Sequence, residues 1–534
     1  MAKEKGQNYM HGAAILTIGV ILMKLLGFIY KVPIANIIGD DGYSMFLSSY
    51  NVYFVFYTLS TAGFPIALSR LIAEANAQNR PMQVRRTFLV AERTFLVIGL
   101  IFAAIMFFFH EQLASAVLGN PDAAPSIRTM SVGILLVCLV AAHRGYCEGF
   151  GDMIPTTVSQ VLEVLVKVVV GLLLAALIMR AQLGKPMAAA GAIGGVVIGS
   201  VFALTFMILY KRKKYGDVGL DAVDTPDSDR TILKSFLSIG VPIALGSCIM
   251  SILNLVDSSL CMHRLQSAAG FTLKEAQTLY GVYGEATTLF NLPAAFITPL
   301  TVSIVPAISA LMVKQQRKEA CAIAEDSLRI AAFIALPMGV GLAVLSYPIM
   351  RVIYPSSHAS GPVLLCIMGI ASFFVCMLLM ENAILQASGK EKLPMIAMII
   401  GSVVKIIINW FLVANRSINI YGAPVGTLCA YIVMAVMDYV FICRNLEQRP
   451  RLMQVILRPL AASAIMGVSA WVVYTLIARL LSVSWMHTAI AMLAGIVVAV
   501  PLYAVSAIGL RAVTAADMSL IPKGEKIARL LHMK

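Results

Sequence analysis

Long apolar runs, broken by short charged or turn-forming segments, fill this chain from about His11 to about Leu510. Most runs are ~20 residues or longer, the length a helix needs to cross the ~30 Å hydrocarbon layer of a bilayer. None shows the alternation of polar and apolar positions that a barrel strand requires. A bilayer leaves no backbone polar group solvated, so uninterrupted runs of this kind must be helices. The pattern predicts about fourteen spans, near 11–37, 43–75, 88–110, 127–148, 156–180, 188–210, 232–262, 278–312, 327–350, 361–387, 394–414, 421–443, 455–480 and 487–510. The fold class is therefore all-α integral membrane. The longest linker opens with KRKKYGD at 211 and runs to about 231. It divides a first bundle, 1–210, from a second, 232–443, with spans thirteen and fourteen and a tail in 444–534.

Composition excludes a large soluble core. Of 534 residues 59% are hydrophobic and 13% charged, against roughly 25% charged in a soluble domain. The charges are also placed asymmetrically. With the N-terminus inside, the cytoplasmic segments carry Lys3 and Lys5, then Arg80, Arg85 and Arg86, then Lys211, Arg212, Lys213, Lys214 and Arg230. Further along they carry Lys314, Arg317, Lys318, Lys390, Lys392, Arg444, Arg449, Arg451 and five basic residues in the tail. The opposite loops hold about seven Lys and Arg in all. This asymmetry predicts a multi-pass protein of the bacterial cytoplasmic membrane with both termini in the cytoplasm. Basic loops facing anionic lipid account for the net charge of +14 without nucleic acid. The nine cysteines stand singly, mostly in apolar stretches, and read as small buried hydrophobes. His11, His110, His263, His358 and His487 sit mostly at span ends without metal-ligand spacing, so neither metal nor cofactor is expected. The first apolar run carries no small-residue cleavage pattern, and no cleaved signal peptide is expected.

Similar features recur at a near-constant offset. Span two contains TAGFPIALSRLIAEA and span eight FITPLTVSIVPAISA, with Pro65 and Pro299 234 residues apart. Arg93 and Arg329 open spans three and nine at an offset of 236, and Lys167 and Lys405 sit in spans five and eleven at 238. Gly191-Ala192 and Gly422-Ala423 open spans six and twelve. A repeat with an even number of spans keeps its orientation, so the two bundles are expected to be related by an axis along the membrane normal. Such repeats belong to transporters whose substrate site lies between the halves.

Charges inside spans are expensive and point to function. Lys24 lies mid-way along span one and Lys31 two turns further on the same face, where both can line a cavity and bind an anionic group. Lys31 can alternatively snorkel to the interface. Arg144 with Glu148, and Glu163 with Lys167, stand at i and i+4, so each pair can neutralise itself on one helix face or serve a cavity. In the second bundle Asp257 and Lys405 are candidate partners. Asn409 shares a face with Lys405, Thr427 lies near the start of span twelve, and Glu285 and Glu381 are buried-looking acids suited to coupling or gating. Pro65, Pro242, Pro299, Pro306 and Pro337 interrupt spans and are candidate bends.

The stretch HRGYCEGFGDMIPTTVSQVLEVLVK, from His143 to Lys167, and KLLGFIYKVPIANIIG in span one resemble the polysaccharide-biosynthesis and stage V sporulation protein B group. That group lies within the multidrug/oligosaccharidyl-lipid/polysaccharide exporter superfamily, together with MurJ-type lipid II flippases. The resemblance covers essentially the whole chain. It implies two six-helix bundles around a central cavity, with a groove at the last two helices for a polyprenyl tail. It implies an undecaprenyl-pyrophosphate-linked envelope precursor as substrate, lipid II for peptidoglycan first among them, moved by alternating access. Membrane lipids and cell-wall synthesis proteins are the implied partners. Lys24 matches a cationic position of the MurJ group. Its next cation falls at Tyr30 beside Lys31, another within Tyr53 to Tyr57, and another near Thr288, so most of that group's arginines are absent here. A sodium site of some members would fall on Asp257, Lys405, Asn409 and Thr427, where the Lys405 ammonium can take the place of the ion. Three rival readings remain. A cation-coupled drug or solute antiporter of the same superfamily typically lacks spans thirteen and fourteen. An enzyme would need a sizeable extramembrane domain and a catalytic constellation, and neither is visible. A non-transporting assembly factor for spore cortex synthesis is a third.

Overall fold

A computed structural model describes the backbone of residues 2–216, 218, 224–446, 450, 452–481, 484–510 and 512. Side chains are described for Gly19 and, within those segments, from Leu22 onward except at 452–454. The side chains of Lys3, Lys5 and His11, part of the linker, and the five basic tail residues lie outside the described residues.

Every regular element among the described residues is helical. In chain order the principal helices are α1 (Ala2–Thr61), α2 (Phe64–Ala77), α3 (Pro81–Phe108), α4 (Ala124–Gly149), α5 (Ile154–Arg180), α6 (Lys185–Tyr215), α7 (Asp229–Ser267) and α8 (Leu273–Phe290). They continue as α9 (Leu292–Val313), α10 (Arg317–Val344), α11 (Ser346–Ile353), α12 (Gly361–Ala387), α13 (Lys392–Leu412), α14 (Gly422–Asn445), α15 (Leu452–Leu480) and α16 (Trp485–Gly509). Prolines mark many of the starts: Pro65, Pro81, Pro125, Pro155, Pro186, Pro293 and Pro362 each occupy the first two positions of a helix. There the missing N–H has no helical acceptor to serve and the fixed φ already suits the helix.

Among the described residues thirteen stretches are long and apolar enough to cross a membrane. The longest, Leu22–Ala77, has 56 residues and would run to ~84 Å as a straight helix. It is broken at Gly39, whose φ of 73° and ψ of 174° lie outside the helical region. Glycine adopts that conformation without the clash a Cβ would bring. The break falls in the loop expected between spans one and two, and counting the two sides separately gives the expected fourteen. This is a multi-pass membrane protein. The candidate bends fare differently. Pro65 begins a new helix after a break at Ala62-Gly63, whereas Pro242, Pro299, Pro306 and Pro337 lie inside continuous helices. The repeated prolines, Pro65 and Pro299, thus sit in different local structure.

Packing divides the chain into two units, Met1–Gln266 with Phe271–Gly281, and Ser267–Gly270 with Val282–Lys534. The divide differs from the linker boundary read in the sequence, because α7 packs within the first unit. Its Phe236 ring lies 5.5 Å from Phe64 and 5.8 Å from Phe95 in the core formed by α2, α3 and α4. Gly240 of α7 meets the Phe64 ring so closely that a Cβ there would overlap it. In the first unit α4 is the central helix, contacted by α1, α2, α3 and α6. In the second unit α12 takes that place, packed by α9, α10 and α14 around Leu328, Leu336, Met380 and Ile384. The last two helices, α15 and α16, pack on one another, and α15 packs on α10. The Tyr503 hydroxyl of α16 donates to the Phe333 carbonyl of α10 at 2.7 Å.

Candidate functional site

The site in the first unit begins with small residues. Gly171 of α5 and Gly195 and Gly199 of α6 bring the two backbones together: a Cβ at Gly195 would overlap the Gly171 backbone, and one at Gly199 would press on the Glu163 carbonyl. Small residues are the usual means of close helix approach in lipid. The approach sets Ser200, next to Gly199, against the Glu163 side chain. Ser200 Oγ donates to Glu163 Oε1 at 2.9 Å, and Arg144 of α4 donates through Nη2 to Glu163 Oε2 at 2.9 Å. Arg144 Nε also donates to Ser159 Oγ at 2.9 Å. The pair is largely shielded, with the two side chains 12% and 18% exposed.

This corrects the expected self-neutralising pairs. Arg144 reaches across to α5 rather than down its own helix to Glu148, because Gly145 and Gly149 seat α4 against α2 and leave its Arg144 face toward α5. Glu148 instead accepts from Thr156 Oγ1 at 3.0 Å. With Glu163 engaged by Arg144 and Ser200, Lys167 makes no close ion pair with it, although it lies within the field of that carboxylate; its ammonium is 5.4 Å from the centre of the Tyr30 ring. The Tyr30 hydroxyl is occupied, donating to the Ala192 carbonyl at 2.8 Å. Lys31 is half-buried and close enough to Lys167 for the two charges to repel. Lys24 is exposed. Tyr50, Tyr53 and Tyr57 of α1 lie within the field of the Glu163 carboxylate. Two like-charged ammonium groups beside a neutralised Arg–Glu pair make a local excess of positive charge inside a helix bundle. An anion relieves that excess; a cation does not.

The turn between α4 and α5 is tied separately. Asp152 Oδ2 accepts from Lys214 Nζ at 2.6 Å, from Tyr210 at 2.8 Å and from Tyr215 at 3.1 Å. Partial burial pushes the Asp152 carboxyl up, but the bonds from Lys214 and the two tyrosines outweigh burial and hold it below the ordinary carboxylate range.

In the second unit the predicted residues stand on α8, α12, α13 and α14. Thr427 of α14 is buried, shares a 3.1 Å hydrogen bond with the Tyr283 hydroxyl and donates to the Ala423 carbonyl. Asn409 of α13 is buried beside Gly426, where any side chain would collide with its amide oxygen. Lys405 is half-buried on the same helix. Glu285 is buried and accepts from Ser357 Oγ at 2.6 Å. Asp257 belongs to the first unit, on α7, and Lys405 to the second. Glu381 of α12 lies apart from these, with Asp438 of α14 as its charged neighbour. They are 2% and 0% exposed. Glu381 Oε2 and both Asp438 carboxylate oxygens have no hydrogen-bond partner. Two buried carboxylates side by side require a shared proton or a cation. Asp438 went unselected in the sequence although VMAVMDYVF carries the same signal as Glu381, a lone acid inside an apolar run. Among the described residues no group of three or more His, Cys, Asp or Glu side chains is arranged to hold a metal ion.

A polysaccharide biosynthesis protein family model matches residues 9–312, more than half of the chain. The chain belongs to that family. A second model, MatE, matches residues 242–411. Two relatives from Bacillus subtilis (strain 168) align along most of the chain. "Lipid II flippase MurJ" is 25% identical over 488 residues, covering 87% of this chain and 88% of its own. "Stage V sporulation protein B" is 26% identical over 435 residues, covering 81% and 83%. The fold agrees with two solved structures. A lipid II flippase MurJ in an inward closed conformation has a TM-score of 0.68 at 16% identity, over 92% of this chain and 99% of that one. An inward-facing multidrug resistance MATE family transporter of the MOP superfamily has a TM-score of 0.65 at 17% identity, over 81% and 98%. The all-α membrane fold read from the sequence agrees with these matches.

Proposed function

We propose that this protein is a flippase that carries an undecaprenyl-pyrophosphate-linked cell-envelope precursor, lipid II in first place, across the cytoplasmic membrane by alternating access. The observation that carries the reading is that Lys31 and Lys167 lie close enough to repel, with Lys167 beside the Tyr30 ring and the neighbouring Glu163 bonded to Arg144 rather than to either lysine. Such a cluster suits a pyrophosphate, and the similarity to a protein named lipid II flippase MurJ supports a lipid carrier for it. Lys24, exposed on the same helix, is assigned to first capture of the head group. Arg144, Glu148 and Glu163 hold the bundle that presents the lysines. Asp257, Glu285, Glu381, Lys405, Asn409 and Thr427 are assigned to coupling or gating, with Lys405 replacing a sodium ion. We assign no catalytic step to the chain.

The test is lipid II externalisation in cells depleted of their own flippase and supplied with this gene, read by an externally added label. Restored labelling that is lost in Lys24→Ala and Lys167→Ala at equal expression is the expected result. No restoration despite correct insertion would remove lipid II as the substrate and leave another lipid-linked saccharide. A cation-coupled antiporter is the second reading, favoured by the buried Glu381 and Asp438 carboxylates. It predicts gradient-driven solute efflux with no labelling.

A further inference from the structure

One end of the first unit is crowded with cations, and they divide into two sets. Arg80 pairs with Asp227 at 3.0 Å, Arg86 with Asp229 at 2.5 Å and Lys214 with Asp152 at 2.6 Å. Arg85, Lys211 and Arg212 have no ion-pair partner among the described residues, and all three line a recess of about 340 Å³ between α3, α4 and α6. Its floor is α4, which contributes His143 and Tyr146. Its walls are α3, with Phe88, Leu89 and Glu92, and the end of α6, with Ile208 and Tyr215. Because α3 and α6 each pack on α4 and scarcely touch one another, the recess opens between them.

The Lys211 ammonium is held 3.1 Å above the centre of the Phe88 ring and 5.0 Å from that of Tyr146. Aromatic faces steady a cation without neutralising it, so its charge stays available to the recess. Glu92 is the one acid in the lining; its carboxylate faces His143 Nε2 at 3.7 Å and also acts on Lys211 through its field. Three cations against one carboxylate leave the recess positive.

The walls continue along the span as apolar surface. Leu89 and Leu96 stand on the Arg85 face of α3, and Val201 stands two turns from Ile208 on α6; they are 38%, 40% and 43% exposed. A soluble anion would have no use for that extension. We propose that this recess binds the phosphate head group of an anionic membrane phospholipid of the phosphatidylglycerol class, with an acyl chain lying between α3 and α6. Basic pockets between transmembrane helices, at the end where positive charge concentrates, are where such head groups bind. The site is independent of the flippase reading, since none of its lining residues serves the lysine cluster.

The full-length protein, purified in mild detergent, is titrated with phosphatidylglycerol and bound lipid is counted by native mass spectrometry. Wild type is expected to retain one lipid at concentrations where phosphatidylcholine is not retained. Arg85→Gln with Arg212→Gln, both at exposed positions, removes two cations and weakens retention roughly 25-fold, about fivefold for each. Arg80→Gln with Arg86→Gln removes as much charge from the same end but outside the recess lining, and keeps wild-type retention. Equal loss in both double variants would show diffuse attraction and overturn the site. Equal retention of phosphatidylcholine would overturn the head-group requirement. Displacement of the lipid by millimolar inorganic phosphate would mean a soluble-anion site and overturn the lipid assignment.

Discussion

Arg144 and Glu163 show why a charged pair inside a span is held so tightly. Each stands out in the sequence as a costly in-span charge; the sequence does not show its partner. An i, i+4 spacing makes Arg144–Glu148 available, but the partner actually used depends on how closely α5 approaches. Removing one member leaves a shielded charge uncompensated, which costs about 3–5 kcal/mol. Arg144→Gln and Glu163→Gln should each lower the unfolding temperature substantially in detergent, whereas the double variant should recover much of the loss. A double variant as unstable as the sum of the singles would argue against a direct pair. Asp152 makes a pH-dependent counterpart. Its carboxyl is held below its unfolded range by Lys214 and the two tyrosines, so its contribution is present above the unfolded value and fades as pH falls through the folded one. Stability of wild type should therefore drop below about pH 4 more steeply than that of Asp152→Asn, as measured by thermal unfolding across an acid series. Parallel curves would show that Asp152 contributes nothing of this kind.

Helix boundaries and the membrane class were legible because they follow from local rules: run length, charge at the ends and proline at helix starts. The division of the chain was less legible. The linker suggested that α7 begins the second bundle, yet Phe236 and Gly240 fit it into the core of the first unit, and that depends on shape complementarity between elements far apart in sequence. The glycines of α6 were visible as GAIGGVVIGS, but small residues in a span point only to some close contact. The structure gives them a specific task, because they let Ser200 reach Glu163. Gly199→Val should force the two backbones apart, cost about 1–3 kcal/mol through overpacking, and lower lipid II labelling together with thermal stability. Ser200→Ala removes one hydrogen bond without moving the backbone and should cost only about 1 kcal/mol. If Gly199→Val were as mild as Ser200→Ala, the close approach would not be what positions the acid.

For the whole molecule, the membrane potential can drive transport only if the charge moved across it differs between the loaded and the empty carrier. An inside-negative potential is worth about 2.3 kcal/mol per charge per 100 mV, favouring outward movement of an anionic head group and return of an empty cationic carrier. In the function proposed above, Lys31 and Lys167 are the cations of that carrier in the first unit. In the second unit, Glu381 and Asp438 are the groups that can admit a proton or a monovalent cation, since both are buried and three of their carboxylate oxygens lack partners. If the pair loads such an ion in one conformation and releases it in the other, the ion gradient biases the equilibrium only through that difference in affinity. Glu381→Gln and Asp438→Asn each leave a single carboxylate with no like-charged neighbour, so the need for a balancing ion falls. The variants are therefore expected to be at least as stable as wild type, because a repulsion has been removed. In proteoliposomes at fixed membrane potential, an imposed proton or sodium gradient should accelerate lipid externalisation by wild type and leave both variants at the basal rate. Variants that keep the full response would remove the pair from coupling, whatever their stability, and a wild type indifferent to both gradients would leave the membrane potential as the driving force.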